Sequence, residues 1–365
     1  MTTAKSSTWG VARSQHISRT LRHDLAVPLL LVLFVLTLVV CATIGSVPMS
    51  PGFVAGMPFR KLGVIASSAA DAQNDAVLLA IRAPRLVLGM LIGSTLALSG
   101  VALEGLFRNA LADPALLGIS SGSALGAVAS IVFGAHVIHV LSASVMPFVL
   151  PFAAFAGAMV SMVAIERMAR FEGRTSITML LLAGIAVNAL CQAAMGFCVY
   201  MANDAQLRTI TFWNLGSLGG ATWTTVLSAA PFLSVPLLVL PRCARSLDAI
   251  LLGEAEAGHL GVSVERTKRI VFMLVALGVG ASVASAGIIG FVGLVVPHLL
   301  RLALGPKHRI LMPATALAGA TLLLIADAVA RTIVSPAELP LGLVTAAIGT
   351  PFFLALLVRE RRSLA

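Results

Sequence analysis

Apolar runs alternate with short polar connections from residue 26 to residue 358. The runs fall at 26–46, 84–107, 116–134, 145–168, 176–200, 222–240, 268–288, 291–304, 310–331 and 340–358. A helix of about 20 residues crosses a bilayer, so these runs can span one, except the eighth, which is too short to cross unaided. The pattern predicts an all-α fold, a polytopic membrane protein with about ten transmembrane helices. It divides into an N-terminal segment 1–25, a single transmembrane domain 26–358 and a tail 359–365.

One stretch breaks the apolar pattern. From Ile288 to Arg301 the chain reads IIGFVGLVVPHLLR, which sets Gly290, Gly293, Pro297, His298 and Arg301 at membrane depth. Backbone interrupted there is tolerated only inside a protein bundle or along a water-filled path. The stretch therefore points to a chain that passes something through the membrane.

Composition agrees with the pattern. The chain is 58% hydrophobic and 11% charged over 365 residues, with a mean hydropathy of +1.00, which excludes an ordinary soluble domain. Its lysines are Lys5, Lys61, Lys268 and Lys307, and no G-x-x-x-x-G-K-[ST] string occurs. The chain thus carries no phosphate-cradling loop, and any ATP is hydrolysed by another subunit. The run Leu25 to Val47 is longer than a signal-peptide core and lacks a cleavage site, so it reads as an uncleaved first span. Cys41, Cys191, Cys198 and Cys243 suit neither a disulfide framework nor a zinc site, and no metal site is expected.

The net charge of +10 follows topology. Arg167, Arg170, Arg242, Arg245, Arg266, Lys268, Arg269, Lys307, Arg309, Arg359, Arg361 and Arg362 lie in alternate connections, which places those and both termini in the cytoplasm. No basic patch interleaved with aromatics appears, so nucleic acid is not an expected partner. The connection 46–83 runs against this rule with Arg60, Lys61 and Arg82, and its Pro and Gly content predicts a structured outer loop. Arg82 and Arg85 flank Pro84 at the outer start of the second span.

The strings RAPRLVLGMLIGSTLALSGVALEGLFRNALADPALLGISSG, GEAEAGHLGV, GFVGLVVPHLLR, ADAVAR and ELPLGLVTAAIGTPFFLALL resemble the permease family of ABC importers for ferric siderophores, haem and vitamin B12. The resemblance runs from Arg82 to the end. It implies about ten spans, a homodimer in the bacterial inner membrane, two ATP-binding cassette subunits that bind the ATP, a periplasmic binding protein, and no cofactor of the chain's own. Two positions depart from the family pattern: Glu104 where Gln is frequent, and Ala110 in RNALAD. Glu104 is expected to pair with Arg108 one turn on.

The resemblance marks 246–261, SLDAILLGEAEAGHLG, as a coupling helix pair for the ATPase. The residues support that role. Ser246 is expected to cap a first short helix, with Asp248 suited to its N-terminal dipole. Gly253 turns the chain, Glu254 and Glu256 open a second helix, and Gly261 closes it. Leu251, Leu252, Ala255 and Leu260 supply an apolar docking face. At the outer mouth, the resemblance assigns Arg82, Arg85 and Arg331 to docking the binding protein, whose glutamates suit guanidinium forks. Asp327 is expected to orient Arg331 from four residues away.

Other polar residues receive structural roles. Asp113 before Pro114 reads as a helix start, and the small residues of 118–126 as a close-packing surface. His298 is expected to bond within the bundle, while His136 and His139 sit in an outer connection. An ion-coupled secondary transporter would need acids at the midplane, and an intramembrane enzyme a motif such as H-E-x-x-H; neither is present. The segment RTITFWNLGSLGGATW, from Arg208 to Trp223, resembles haem importers of the family more than cobalamin ones, so haem is the expected cargo, with ferric siderophore and cobalamin as alternatives.

Overall fold

The computed structural model describes residues 6–45, 49–62, 64, 68–109, 112–138, 145–172 and 174–364. Lys5, Ala110 and His139 lie outside these residues, and the side chain of His136 lies outside the described side chains. The first helix, α1, is Ser6–Thr43. The connection after it holds α2 (Pro51–Lys61) and α3 (Ala69–Val77), and α3 continues through a π-turn, Leu78–Arg82, into α4 (Ala83–Phe107). A 3-10 turn at Pro114–Leu117 leads into α5 (Ile119–Ile138), followed by α6 (Met146–Ala169). A ribbon of β1 (Arg170–Phe171) and β2 (Arg174–Thr175) precedes α7 (Ile177–Met201), α8 (Asp204–Asn214) and α9 (Trp223–Val239). The short helices α10 (Ala244–Ile250) and α11 (Glu254–His259) come before α12 (Val264–Ala286), α13 (Val292–Leu304), α14 (His308–Thr332) and α15 (Leu341–Leu364).

Among the described residues, 7 helices are long and apolar enough to cross a membrane, and three shorter apolar helices lie at 119–134, 292–304 and 341–355. This fits the expected all-α bundle of about ten spans. The eighth run is the 13-residue α13, about 20 Å long and short of a 30 Å hydrocarbon core. The outer loop is structured, as its turn residues suggested. Arg60 bonds Asp75 at 2.7 Å and stacks over the Phe53 ring at 3.8 Å, so α2 and α3 are held together. Helix α8 and the β1–β2 ribbon were not foreseen in the apolar pattern, because both are too short and polar to register in it.

Helix α4 forms the centre of the bundle, with 78% of its most apolar window buried, against 17% for α1 at the rim. Small residues bring its neighbours close. A Cβ on Gly93 would strike the Gly319 carbonyl of α14, and one on Gly100 would strike Gly293 of α13. The expected packing surface in α5 behaves alike: Gly122 lies on Gly157, and Gly126 on Ala153, both in α6. With no hydrophobic drive between helices in lipid, such backbone approaches supply the dispersion contacts that hold spans together. Helices α4 and α14 are antiparallel, so the bundle has an arginine end, with Arg85 and Asp327, and an opposite end, with α10 and α11.

Candidate functional site

The 246–261 segment forms two short helices separated by Gly253, whose φ of +134° is outside the reach of other residues. Gly261, with φ +82°, ends α11 as expected. Val262 donates to the Ala257 carbonyl and Gly261 to that of Gly258, the paired bonds of a glycine-terminated helix. Leu252 and Leu260 are 68% and 64% exposed, and Ala255 and Glu256 are exposed beside them, while Leu251 is half-buried. Leu247, Ile250 and Ala257 are buried beneath. The apolar face therefore points away from the bundle.

The polar residues of this segment correct two expectations. Helix α10 starts at Ala244, so Ser246 lies inside its first turn and caps nothing. Asp248 serves α14 instead: its Oδ1 accepts from the His308 backbone N–H at 2.9 Å and from His308 Nδ1 at 2.7 Å. The start of α14 has no side-chain cap of its own, and its free N–H groups draw the carboxylate. Glu254, in turn, accepts from the buried Lys268 Nζ at 2.8 Å.

At the arginine end the three expected arginines gather, yet each is engaged by this chain. The Arg85 guanidinium donates to Asp327 from Nε at 3.0 Å and from Nη2 at 2.9 Å, and to Glu338 from Nη1 at 2.9 Å. Arg331 bonds Asp327 at 3.1 Å, the expected i,i+4 pair. Its Nη1 also reaches the Ile44 carbonyl at 2.9 Å. Arg82 turns inward onto the carbonyls of Ala42, at 2.6 Å, and Thr43, at 3.1 Å. Arg82 and Arg331 thus satisfy backbone acceptors at the end of α1, which a helix leaves without internal partners. Free outward forks were the expectation. A guanidinium at a bundle end loses water on both sides and binds whatever acceptors the fold supplies. Within the Arg85–Asp327–Arg331 cluster the exposed charge is the Glu338 carboxylate, 43% exposed, which the Arg85 guanidinium holds below the usual carboxylate range.

Between the two ends, the interrupted stretch is largely covered by protein, with 292–297 buried, as membrane-depth backbone requires. Residues 287–291 are non-helical between α12 and α13. Gly287 has φ +73° and Gly216 φ +69°. A Cβ on Gly216 would sit 2.5 Å from the Ile288 carbonyl, and one on Gly342 would strike Leu215. Ser217 donates to the Ala286 carbonyl at 2.8 Å, and Leu341 to that of Gly216 at 2.8 Å. The ends of α8, α12 and the start of α15 therefore meet backbone to backbone. Within α13, the His298 ring stands edge-on to Phe352 at 6.4 Å.

The expected Glu104–Arg108 pair does not form. Arg108 has left-handed backbone, φ 51°, where α4 ends, so its side chain leaves the helical line that an i,i+4 pair needs. Glu104 binds Arg301 of α13 at 2.8 Å, with its side chain wholly buried. Asp113 does cap as expected, accepting from the Ala115 N–H at 2.8 Å.

Comparisons with known proteins agree with this arrangement. The model of the FecCD transport family matches residues 29–359. The hemin transport system permease protein HmuU of Yersinia pestis is 44% identical over 352 residues, 92% of this chain and 97% of that protein. The cobalamin import system permease protein BtuC of Halobacterium salinarum is 44% identical over 285 residues, 78% of this chain and 74% of that protein. Among solved structures, an inward-facing metal-chelate type ABC transporter matches with a TM-score of 0.78 at 31% identity, covering 91% of this chain and 98% of that one.

Proposed function

The chain belongs to the FecCD transport family and is an ABC importer permease, and from that premise we propose that its cargo is haem. The observation that carries the cargo is the extent of the match. Likeness to the hemin permease runs over 92% of this chain, against 78% for the cobalamin permease at the same identity. The Arg208 to Trp223 segment, which sets the haem reading apart, builds half of the backbone junction around Gly216 and Gly287. A ferric siderophore or cobalamin is the competing cargo.

The working assembly in this reading is a homodimer in the bacterial inner membrane, with both termini cytoplasmic. Each copy presents its 246–261 segment to one of two ATP-binding cassette subunits, through Leu251, Leu252, Gly253, Glu254, Ala255, Glu256, Leu260 and Gly261. The outward Leu252 and Leu260 support this, since an apolar face in an otherwise polar connection suits a groove. At the other end a periplasmic binding protein docks. Its carboxylates meet Arg85 by displacing Glu338, while Arg82 and Arg331 hold α1.

The test is reconstitution of the permease with its ATPase and binding protein in liposomes. Haem uptake should be ATP-dependent and resist a tenfold excess of cobalamin or ferric siderophore. Uptake of either competitor in preference to haem would overturn the cargo.

A further inference from the structure

Lys268 lies 3% exposed at the first turns of α12, and its ammonium group has three N–H donors and three partners. Nζ donates to Glu254 of α11 at 2.8 Å, to Glu265 of its own helix at 3.1 Å and to the Thr175 carbonyl at 3.0 Å. Glu265 closes the ring by accepting from the Thr175 N–H at 2.8 Å. Three pieces of chain meet at one nitrogen: the second short helix, the β1–β2 ribbon before α7, and α12. Helix α12 is a central element, 72% buried over its apolar window. It ends at the Gly216–Gly287–Gly342 junction.

The contacts beneath α11 are otherwise slight. Only Ala257 of that helix is fully buried, and Gly253, with no side chain, separates α11 from α10. A force on the exposed Leu252 and Leu260 would bend the segment at Gly253 unless α11 were fastened to the bundle. We propose that Lys268 is that fastening, the positioning residue through which displacement of the 246–261 segment is passed to α12 and so to the backbone junction. The proposal rests on the coupling reading of that segment. A buried ammonium shared by three acceptors suits the role, because pulling α11 away leaves one N–H donor without its acceptor at a side chain only 3% exposed, and the group resists separation.

The experiment compares Lys268→Met, Lys268→Arg and Glu254→Ala in the full assembly with ATPase and binding protein, scoring haem imported per ATP hydrolysed. A residue that only stabilises the fold changes yield and leaves this ratio alone. Lys268→Met is expected to keep hydrolysing ATP while the ratio falls about tenfold, and Lys268→Arg to restore most of it. If Lys268→Met fails to assemble, Glu254→Ala decides, since it removes the α11 acceptor while Thr175 and Glu265 still hold the lysine; a ratio reduced severalfold supports the proposal. An unchanged ratio in whichever variant assembles overturns it. A separate arm replaces Leu252 and Leu260 with Ser and measures ATPase binding. Undiminished binding there removes the coupling reading itself, whatever Lys268 does.

Discussion

The two ends of the bundle pair acids with buried bases alike, yet they present different side chains to a partner. At the α10–α11 end two half-exposed acids hold buried bases, Asp248 with His308 and Glu254 with Lys268, and the large outward side chains are leucines, Leu252 and Leu260. At the other end the arginines turn inward, and the carboxylate of Glu338 is left at the surface. One end thus presents an apolar face whose attraction scarcely depends on salt, the other a charged face that salt screens. In the assembly proposed above, the difference suits partners of different permanence: a subunit that stays bound and a soluble protein that comes and goes.

The comparison breaks first at Arg85. Replacing it with Ala leaves Asp327, 3% exposed, with Arg331 alone, and strips Glu338 of its partner. Because Asp327 keeps Arg331, the loss stays below the about 3–5 kcal/mol of an orphaned buried charge, yet the detergent-solubilised protein should still unfold at a lower temperature. Arg85→Lys should recover only part, because an ammonium cannot fork to two carboxylates. An unchanged unfolding temperature would mean that the cluster does not hold this end together.

A smaller effect is expected at the apolar face. Leu252→Ser with Leu260→Ser should weaken ATPase association by about tenfold or more, near 1.4 kcal/mol, with the unfolding temperature unmoved because both side chains are already exposed. The loss should be the same at low and high salt. Strong salt dependence in a pull-down series would erase the contrast between the ends.

The finest test concerns Glu338. If its carboxylate competes with the binding protein for Arg85, Glu338→Gln should tighten docking by about threefold, the scale of an exposed ion pair. The sign with pH follows from its depressed value. The Arg85–Glu338 pair is complete above the ordinary carboxylate range and is lost as pH falls through the lowered value. Titrating the affinity of both proteins downward should bring wild type toward the variant, and parallel curves would exclude competition.

Much of this was legible in the sequence, and the reasons differ by residue. The spans were visible because runs of apolar residues have one meaning in a bilayer. Gly253 and Gly261 were readable as turn and helix end because few other residues take those backbone angles. The Asp327–Arg331 pair was readable because it is local to one helix. Partners distant in sequence were not. Glu104 and Arg301 are 197 positions apart, and Arg85 and Glu338 are 253 apart, so only the packing of α4 beside α13 and α14 brings each pair together. The role of Asp248 was misjudged for the same cause, since the helix start it serves belongs to α14.

The carbonyls at the end of α1 carry a consequence for how that helix is held. Arg82 and Arg331 cap it from two other spans, and beside them Cys41 and Ala42 pack on Leu324 and Ala328 of α14. Over Leu25–Thr43 as a whole only 17% of the most apolar window is buried. The helix is therefore moored at one end, and a sideways pull on it is resisted there while the rest can swing in the lipid.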